Sequence, residues 1–318
     1  MTGADPAPSG GAPAPSPGGS PPDGPAHRAV TCCHPGGLHR IAYREWSPAA
    51  DAADALAAGN RTVLCVHGLT RTGHDFDPLA ARLAARGLRV VCPDMAGRGD
   101  SDPLPAGAMY EVPLYVADCV TLVARLGVER VDWIGTSMGG LVGMVLASLP
   151  GHPIARLLVN DIGPVIETAG LDRIRGYVGE RPAFASFEAA EAALRVTMRD
   201  FGPHTDEEFR HLSRHHFREG PDGRWRAHHD PAIAEPILAG GTGAPAALWN
   251  AWRAIDCPVT VLRGAESDVL SRDTFEAMVG KGGVAGEEFA GVGHAPTLIA
   301  EDQVRAVMRF LGVDPDAG

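Results

Sequence analysis

Short apolar runs alternate with amphipathic helical segments along most of this chain, and this alternation constrains the fold more than any other feature. A continuous apolar run occupies 62–68, a short apolar run occupies 89–94, and strand patterns follow at 130–137 and 154–163, with helical patterns between them at 77–86, 115–127 and 139–151. A run that is apolar at every position is typical of a strand buried on both faces. The sequence therefore predicts an α/β fold with a mostly parallel, doubly wound sheet.

The alternation is interrupted once and then resumes. Residues 164–243 carry polar helical patterns without an apolar strand, and strand and helix patterns return from 257 to 311. A segment of this length is too long for an ordinary loop, so we expect a helical cap at 164–243 inserted between core segments 30–163 and 244–318. Residues 1–29 are rich in Pro, Gly and Ala, and we predict a disordered tail there.

A serine stands between glycines where one apolar run turns directly into a helix, in the stretch "DWIGTSMGGLVG". A strand that turns sharply into a helix around Ser137 would present its hydroxyl in a strained, exposed turn. Gly135 and Gly139 then occupy positions where a Cβ would collide with neighbouring backbone. The alternative role of Ser137 is a plain helix N-cap.

Other reactive side chains follow the predicted strands, and in parallel sheets ligands collect at the carboxyl ends of strands. His294 follows the last strand, Asp268 follows the preceding one, and Asp161 ends the strand before the cap. A serine hydroxyl needs a base and a group that orients the base, so Ser137, Asp268 and His294 are the candidate catalytic residues. Backbone N–H groups of Leu69 and Met138 are the candidate donors to an oxyanion.

These landmarks resemble the α/β-hydrolase superfamily over residues 40–311. They read "HGLTRTGHDF", "DMAGRGDSD", "GTSMGG", "RGAESD" and "GVGHAP". The single "HG" followed by an apolar residue, together with the cap, is similar to the branch of serine esterases and carbon–carbon bond hydrolases. The resemblance implies a Ser137–His294–Asp268 triad with oxyanion donors at Leu69 and Met138. A serine at the elbow argues against the epoxide hydrolases and haloalkane dehalogenases.

Several assignments stay open on the sequence alone. Asp161 is the alternative acid, since some members of the superfamily take it from that strand, and Asp161 also fits a turn residue. Gly68, Arg71 and Asp161 are candidates for the substrate pocket, with Arg71 either meeting an anionic group or solvated. His211 and His215 are four residues apart, as zinc ligands on one helix are, but no third ligand has convincing spacing, so no metal is predicted.

Composition restricts the partners and the cofactors. The formal net charge is −11 without a basic run, so neither nucleic acid nor a membrane surface is expected as a partner, and no cofactor is predicted. Lys281 is the only lysine, which disfavours a P-loop or a pyridoxal Schiff base. The cysteines have the pattern of reduced core residues, and we expect a cytoplasmic protein from a GC-rich bacterial genome. The oligomeric state stays undetermined.

The sequence predicts a serine hydrolase that cleaves a small to medium carboxylic ester through an acyl-enzyme. One alternative is a carbon–carbon bond hydrolase acting on a vinylogous diketone, because fold and triad cannot separate the two reactions. An alternative of another class is a receptor on the same fold that binds its ligand and turns over slowly. The substrate in the enzymatic cases is a small-molecule ester or ketone.

Overall fold

The computed structural model describes residues 24–48, 61–240 and 245–316, and these form an α/β structure around one large sheet. The sheet has eight strands in the order β1-β2-β4-β3-β5-β6-β9-β10. Strands β1 and β2 pair antiparallel, as do β2 and β4, and the other pairs are parallel. The strands of this sheet are β1 (Ala26–His34), β2 (Gly37–Trp46), β3 (Thr62–Val66), β4 (Arg89–Pro93), β5 (Val131–Thr136), β6 (Ile154–Asn160), β9 (Val259–Gly264) and β10 (Val284–Phe289).

Helices cover both faces of the sheet, as the continuous apolar runs predict. Val63 and Cys65 of β3 belong to one hydrophobic cluster, and Leu64 and Val66 belong to another on the opposite face. Successive side chains of a strand point to opposite faces, so a strand in the middle of this sheet must be apolar throughout. The helices of the core are α1 (Asp77–Ala85), α2 (Val112–Leu126), α3 (Met138–Ala147), α8 (Pro245–Ala254), α9 (Arg272–Val279) and α10 (Glu301–Leu311).

The elements between β6 and α8 form a separate group, which we call the cap, with a hydrophobic cluster of its own around Leu194, Phe209 and Phe217. Its helices are α4 (Thr168–Val178), α5 (Phe187–Thr197), α6 (Asp206–His216) and the short α7 (Glu235–Leu238). It also contains an antiparallel pair, β7 (Phe217–Glu219) with β8 (Trp225–Ala227), which the expectation of a purely helical cap missed. Strands this short and this polar carry no recognisable alternation.

One boundary predicted from composition is wrong. Composition predicts a tail that reaches residue 29, but β1 begins at Ala26 and pairs with β2 from Ala26 opposite Glu45 onward. The backbone of β2 supplies this pairing, and the composition of the tail gives no sign of it. Residues 1–23 of the predicted tail lie outside the described residues. Among the described residues, no helix is long and apolar enough to cross a bilayer.

Candidate active site

Ser137 occupies a sharp turn between β5 and α3. Its backbone has φ 51° and ψ −114°, a conformation that residues other than glycine rarely adopt. A Cβ at Gly135 would meet the Gly139 carbonyl, and a Cβ at Gly139 would meet the Val66 carbonyl. The glycines on both sides of Ser137 therefore let helix α3 approach the sheet closely, as the sequence predicts.

His294 lies in the loop between β10 and α10 and contacts Ser137. Its Nε2 is 2.9 Å from Ser137 Oγ, and its Nδ1 is 2.7 Å from Asp161 Oδ2. A carboxylate oxygen accepts a hydrogen bond, so Nδ1–H of His294 donates to Asp161. Nε2 is then left without a proton and accepts the hydrogen bond that the Ser137 hydroxyl donates. The imidazole is buried with 8% of its side chain exposed, so these two contacts fix its orientation.

Three donors hold the carboxylate of Asp161, which is 0% exposed. Besides His294, the backbone N–H of Gly264 donates to Oδ1 at 2.8 Å and the hydroxyl of Ser267 donates to Oδ2 at 2.6 Å. A buried carboxylate requires such partners, because an unpaired charge away from water is costly. The set fixes Asp161 behind His294.

The carboxylate beside His294 is that of Asp161, which corrects the prediction made for Asp268. Asp268 pairs instead with Arg173 of cap helix α4, through contacts of 2.6 Å from Nε and 2.7 Å from Nη2. Hydrogen bonding to Arg173 is the main cause that lowers the pKa of Asp268. The guanidinium therefore takes both oxygens of Asp268 and joins the cap to the core near the site.

The pocket candidates divide into two groups. Gly68 and Arg71 line a cavity that also contains Ser137, but Asp161 lies behind His294, which corrects its assignment to the pocket surface. Only 12% of the Arg71 side chain is exposed, which corrects the alternative of a solvated arginine, and it makes a two-pronged pair with Asp75 at 2.8 and 2.7 Å. Its Nη2 also donates to the Leu212 carbonyl at 3.1 Å. Arg71 therefore attaches cap helix α6 to the core.

The turn after β3 brings Gly68 beside Ser137, with 3.7 Å between a Cβ built on Gly68 and the Cβ of Ser137. Buried His67 holds this turn: the Met95 N–H donates to Nε2 at 2.9 Å, so Nδ1–H donates to the Gly68 carbonyl at 2.7 Å. Burial lowers the pKa of His67 to about 4. The next residue, Leu69, and the first residue of α3, Met138, both line the space around Ser137.

Two cavities meet at Ser137. One has a volume of about 470 Å³ and lies largely under the cap. The other has a volume of about 350 Å³ and lies over α3. The first contains charged and aromatic side chains, and the second is almost entirely apolar. The lining of the first includes Arg71, Arg173, Phe184, Met198 and His216, and that of the second includes Tyr115, Leu141, Ile162, Ile166 and Leu248.

Two residues outside the predicted catalytic set support the site. Ser267 stands next to Asp268 in "GAESD", and only the fold shows that its hydroxyl faces Asp161. Buried Asn160 donates through Nδ2 to Thr136 Oγ1 at 3.0 Å and to the Pro296 carbonyl at 2.8 Å. It therefore ties the strand before Ser137 to the loop that carries His294.

Groups of side chains suited to a metal ion lie away from this site. In the described part of the chain, two clusters bring three such side chains together: Cys32 with His39 and Asp118, and His74 with Asp77 and His215. Neither cluster includes Ser137, Asp161 or His294. The arrangement at Ser137 thus offers a hydroxyl, a base and an orienting carboxylate rather than a set of metal ligands.

The sequence profile described as the alpha/beta hydrolase family matches residues 63–309 of the chain. The chain belongs to this family. A solved alpha/beta hydrolase from Novosphingobium aromaticivorans matches the hydrolase described here with a TM-score of 0.80 and 36% identity, over 91% of this chain and 98% of that one. The family is one of hydrolytic enzymes, which accords with the hydroxyl and imidazole found together.

Two curated relatives differ in how much of the hydrolase they match. The 3-hydroxybutyrate-oligomer hydrolase of Cupriavidus necator is 45% identical over 289 residues, covering 88% of this chain and 96% of that enzyme. The 2-hydroxy-6-oxo-2,4-heptadienoate hydrolase of Pseudomonas putida is 37% identical over 127 residues, covering 38% of this chain and 45% of that enzyme. The first similarity extends over nearly the whole chain, including the cap.

Proposed function

We propose that this alpha/beta hydrolase cleaves carboxylic esters through an acyl-enzyme formed on Ser137. The observation that carries the proposal is the hydrogen-bonded series from Ser137 Oγ to His294 to Asp161 where the two cavities meet. In this role His294 takes the hydroxyl proton as Ser137 attacks the ester carbonyl. Asp161 keeps Nε2 unprotonated for that step and stabilises the imidazolium that forms.

The remaining steps follow from the same groups. Attack places negative charge on the carbonyl oxygen, and the N–H groups of Leu69 and Met138 are the proposed donors to it. His294 then gives its proton to the departing alcohol, which leaves an acyl group on Ser137. Water then enters and attacks the acyl carbonyl while His294 takes a proton from it. His294 returns that proton to Ser137 Oγ as the bond between the acyl group and the serine breaks, which releases the acid and restores the serine.

We propose short oligomers of 3-hydroxybutyrate, or closely related hydroxyalkanoate esters, as the substrates. The whole-length similarity to the Cupriavidus necator enzyme supports this class. The two cavities support it as well, because an ester held at Ser137 needs one space for its acyl part and another for its alcohol part. The proposed setting is the bacterial cytoplasm, since the described cysteines are free thiols and these relatives are bacterial.

A second candidate function is cleavage of a carbon–carbon bond beside a ketone. The similarity to the Pseudomonas putida enzyme favours it, since the named substrate carries a dienol conjugated to a ketone. That similarity covers 38% of this chain and leaves out much of it. Ester cleavage is therefore the better supported of the two.

The test is turnover of defined substrates by the purified protein. We expect release of 3-hydroxybutyrate from its dimer and trimer, slower release of p-nitrophenol from short acyl esters, and neither with Ser137→Ala. Loss of dienol absorbance without ester cleavage would favour the second candidate. Negligible turnover of every substrate, with a ligand-dependent rise in thermal stability, would favour a receptor and overturn the proposal.

A further inference from the structure

The apolar cavity over α3 is enclosed by the core and the cap together. Leu141 and Val145 of α3 line it from the core, and Leu171 and Ile174 of α4 line it from the cap. Ser137 belongs to the same lining. A group that fills this cavity would therefore lie next to the bond that Ser137 attacks.

The few polar side chains of this lining are engaged elsewhere. The hydroxyl of Tyr110 donates to Asp230 Oδ2 at 2.7 Å, and the hydroxyl of Tyr115 accepts from Arg98 Nη1 at 2.8 Å. Glu111 is exposed to solvent. The other described side chains around the cavity are hydrocarbon or methionine, apart from the serine hydroxyl. The cavity thus suits an alkyl group and offers little to a polar one.

The size of the cavity indicates how long that alkyl group is. Its volume is about 350 Å³. An apolar cavity of about 150 Å³ in another protein takes up benzene, which has six carbon atoms, so there is room here for a six-carbon chain beside the reacting ester. The methyl branch of 3-hydroxybutyrate would leave most of this space empty, and lining atoms that face empty space lose their dispersion contacts.

The other cavity at Ser137 has the opposite chemistry. Its lining includes Arg71, Arg173 and His216, which supply polar groups that the cavity over α3 lacks. The main chain of an oligomeric hydroxy acid is rich in ester oxygens and ends in a carboxylate, whereas its side chains are hydrocarbon. The polar main chain therefore suits the cavity under the cap, and a hydrocarbon side chain suits the cavity over α3.

We propose that the cavity over α3 binds a linear alkyl side chain, so that oligomers of medium-chain 3-hydroxy acids are cleaved more efficiently than those of 3-hydroxybutyrate. This inference rests on the proposed ester cleavage at Ser137 and narrows its substrate class. Each methylene group that leaves water for an apolar site favours binding by about fourfold. The gain should appear in kcat/KM until the cavity is full.

Helix α3 provides a position from which the length of the cavity can be changed. Val145 follows Ser137 by eight residues, which is about 12 Å along a helix. A larger side chain at Val145 therefore removes space at a distance from the reacting bond. Val120 of α2 is the matched position for a control, because it is 44% exposed and is absent from the described lining of both cavities.

The experiment compares kcat/KM for the dimers of 3-hydroxybutyrate, 3-hydroxyhexanoate and 3-hydroxyoctanoate. We expect the octanoate dimer to exceed the butyrate dimer by more than about 10-fold in the wild-type protein and in Val120→Trp. Val145→Trp should lower this ratio by at least about 10-fold, because the indole occupies the space of several methylene groups. Circular dichroism checks that each variant is folded.

A wild-type protein that cleaves these dimers with a kcat/KM that is flat or falls with chain length would overturn this inference and leave the proposed function standing. The same ratio in Val145→Trp and Val120→Trp would also overturn it. No cleavage of any dimer would contradict the proposed function instead.

A binding measurement keeps the inference testable without turnover and without the Val145 variant. Calorimetry with Ser137→Ala compares 2-hexanone with 2-decanone, two uncleavable ketones that differ only in the length of the alkyl chain. We expect 2-decanone to bind more than about 10-fold more tightly. Equal affinity for the two ketones would contradict an alkyl site beside Ser137.

Discussion

Asp161 shows how a single buried side chain sets the chemistry of its neighbours. Its carboxylate accepts from Gly264, Ser267 and His294, so it has little freedom to turn. The fixed carboxylate acts on Ser137 through the imidazole of His294, because Nδ1 stays protonated while it donates a hydrogen bond to Asp161. The hydroxyl proton of Ser137 then has one acceptor, His294 Nε2.

Asn substitution of the two candidate carboxylates gives opposite expectations. Asp161→Asn should lower kcat by about 10⁴-fold, since an amide that donates to Nδ1 favours the wrong tautomer of His294. Asp268→Asn should lower kcat by less than about 10-fold, because it only weakens the pair with Arg173. Steady-state kinetics on one ester, with circular dichroism as a control for folding, measures both. The reverse ranking would move the acid to Asp268.

Sequence reasoning found Ser137 and His294 because their positions depend on local order: strand, turn and helix around the serine, and a loop after the last strand. It favoured Asp268 over Asp161, and the structure instead places Asp161 beside His294; both residues follow strands that end at the same edge of the sheet, so their positions in the sequence do not separate them. The deciding contact comes from Arg173, in a cap helix that is distant in sequence and carries no motif. Such a contact is visible only in the folded chain.

Helix α3 packs unusually close to the sheet, and its glycines make this possible. Gly139 lies against the Val66 carbonyl, and Gly143 lies against the indole of Trp133, which donates to the Gly139 carbonyl at 3.0 Å. The strands around this helix could be predicted because each is a short, mostly apolar segment that leads directly into a turn or a helix. Strand β1 could not, since alternate residues are exposed and its partner β2 supplies the pairing.

Adding a methyl group to this helix should disrupt both stability and activity. Gly139→Ala forces Cβ into the Val66 carbonyl, which we expect to cost about 1–3 kcal/mol or more in the free energy of unfolding and to displace Ser137. Gly176→Ala in exposed helix α4 is the matched control, because a Cβ at that position would have no neighbouring atom within 4 Å. That variant should gain up to about 1 kcal/mol. Equal urea midpoints for the two variants would contradict this packing.

At the scale of the whole molecule, six histidines of the described residues have a lowered pKa. Burial is the main cause that lowers the pKa of each, to about 4 for His67 and His229 and to about 3 for His215. The remaining members of this group, with the direction of the shift alone, are His204, His216 and His228. All but His67 belong to the cap or to its seam with the core.

The folded protein should therefore lose stability as the pH falls below about 6.5, the ordinary pKa of an unfolded histidine. Below that pH these histidines bind protons in the unfolded chain but stay unprotonated in the folded chain, until the pH reaches their lowered pKa values near 4 and 3. For fully buried His67 alone, the loss between pH 7 and pH 5 is about 2 kcal/mol. Urea unfolding at several pH values measures this.

The comparison for this prediction is His229→Gln, which removes one imidazole whose pKa burial lowers to about 4 and should therefore lose less stability than the wild-type protein between pH 7 and pH 5. A free energy of unfolding that is flat between pH 7 and pH 5 in the wild-type protein would contradict the burial of these imidazoles. A flat profile would also show that the cap does not pack as described.

Covalent labelling of Ser137 tests the central claim most directly. The purified protein is incubated with a fluorophosphonate, and intact mass followed by peptide mapping locates the adduct, with His294→Ala as the control. An activated serine predicts one adduct per chain on Ser137, formed far more slowly in the control. A protein that stays unlabelled, or one labelled elsewhere, would contradict the claim that Ser137, His294 and Asp161 act together as a nucleophilic site.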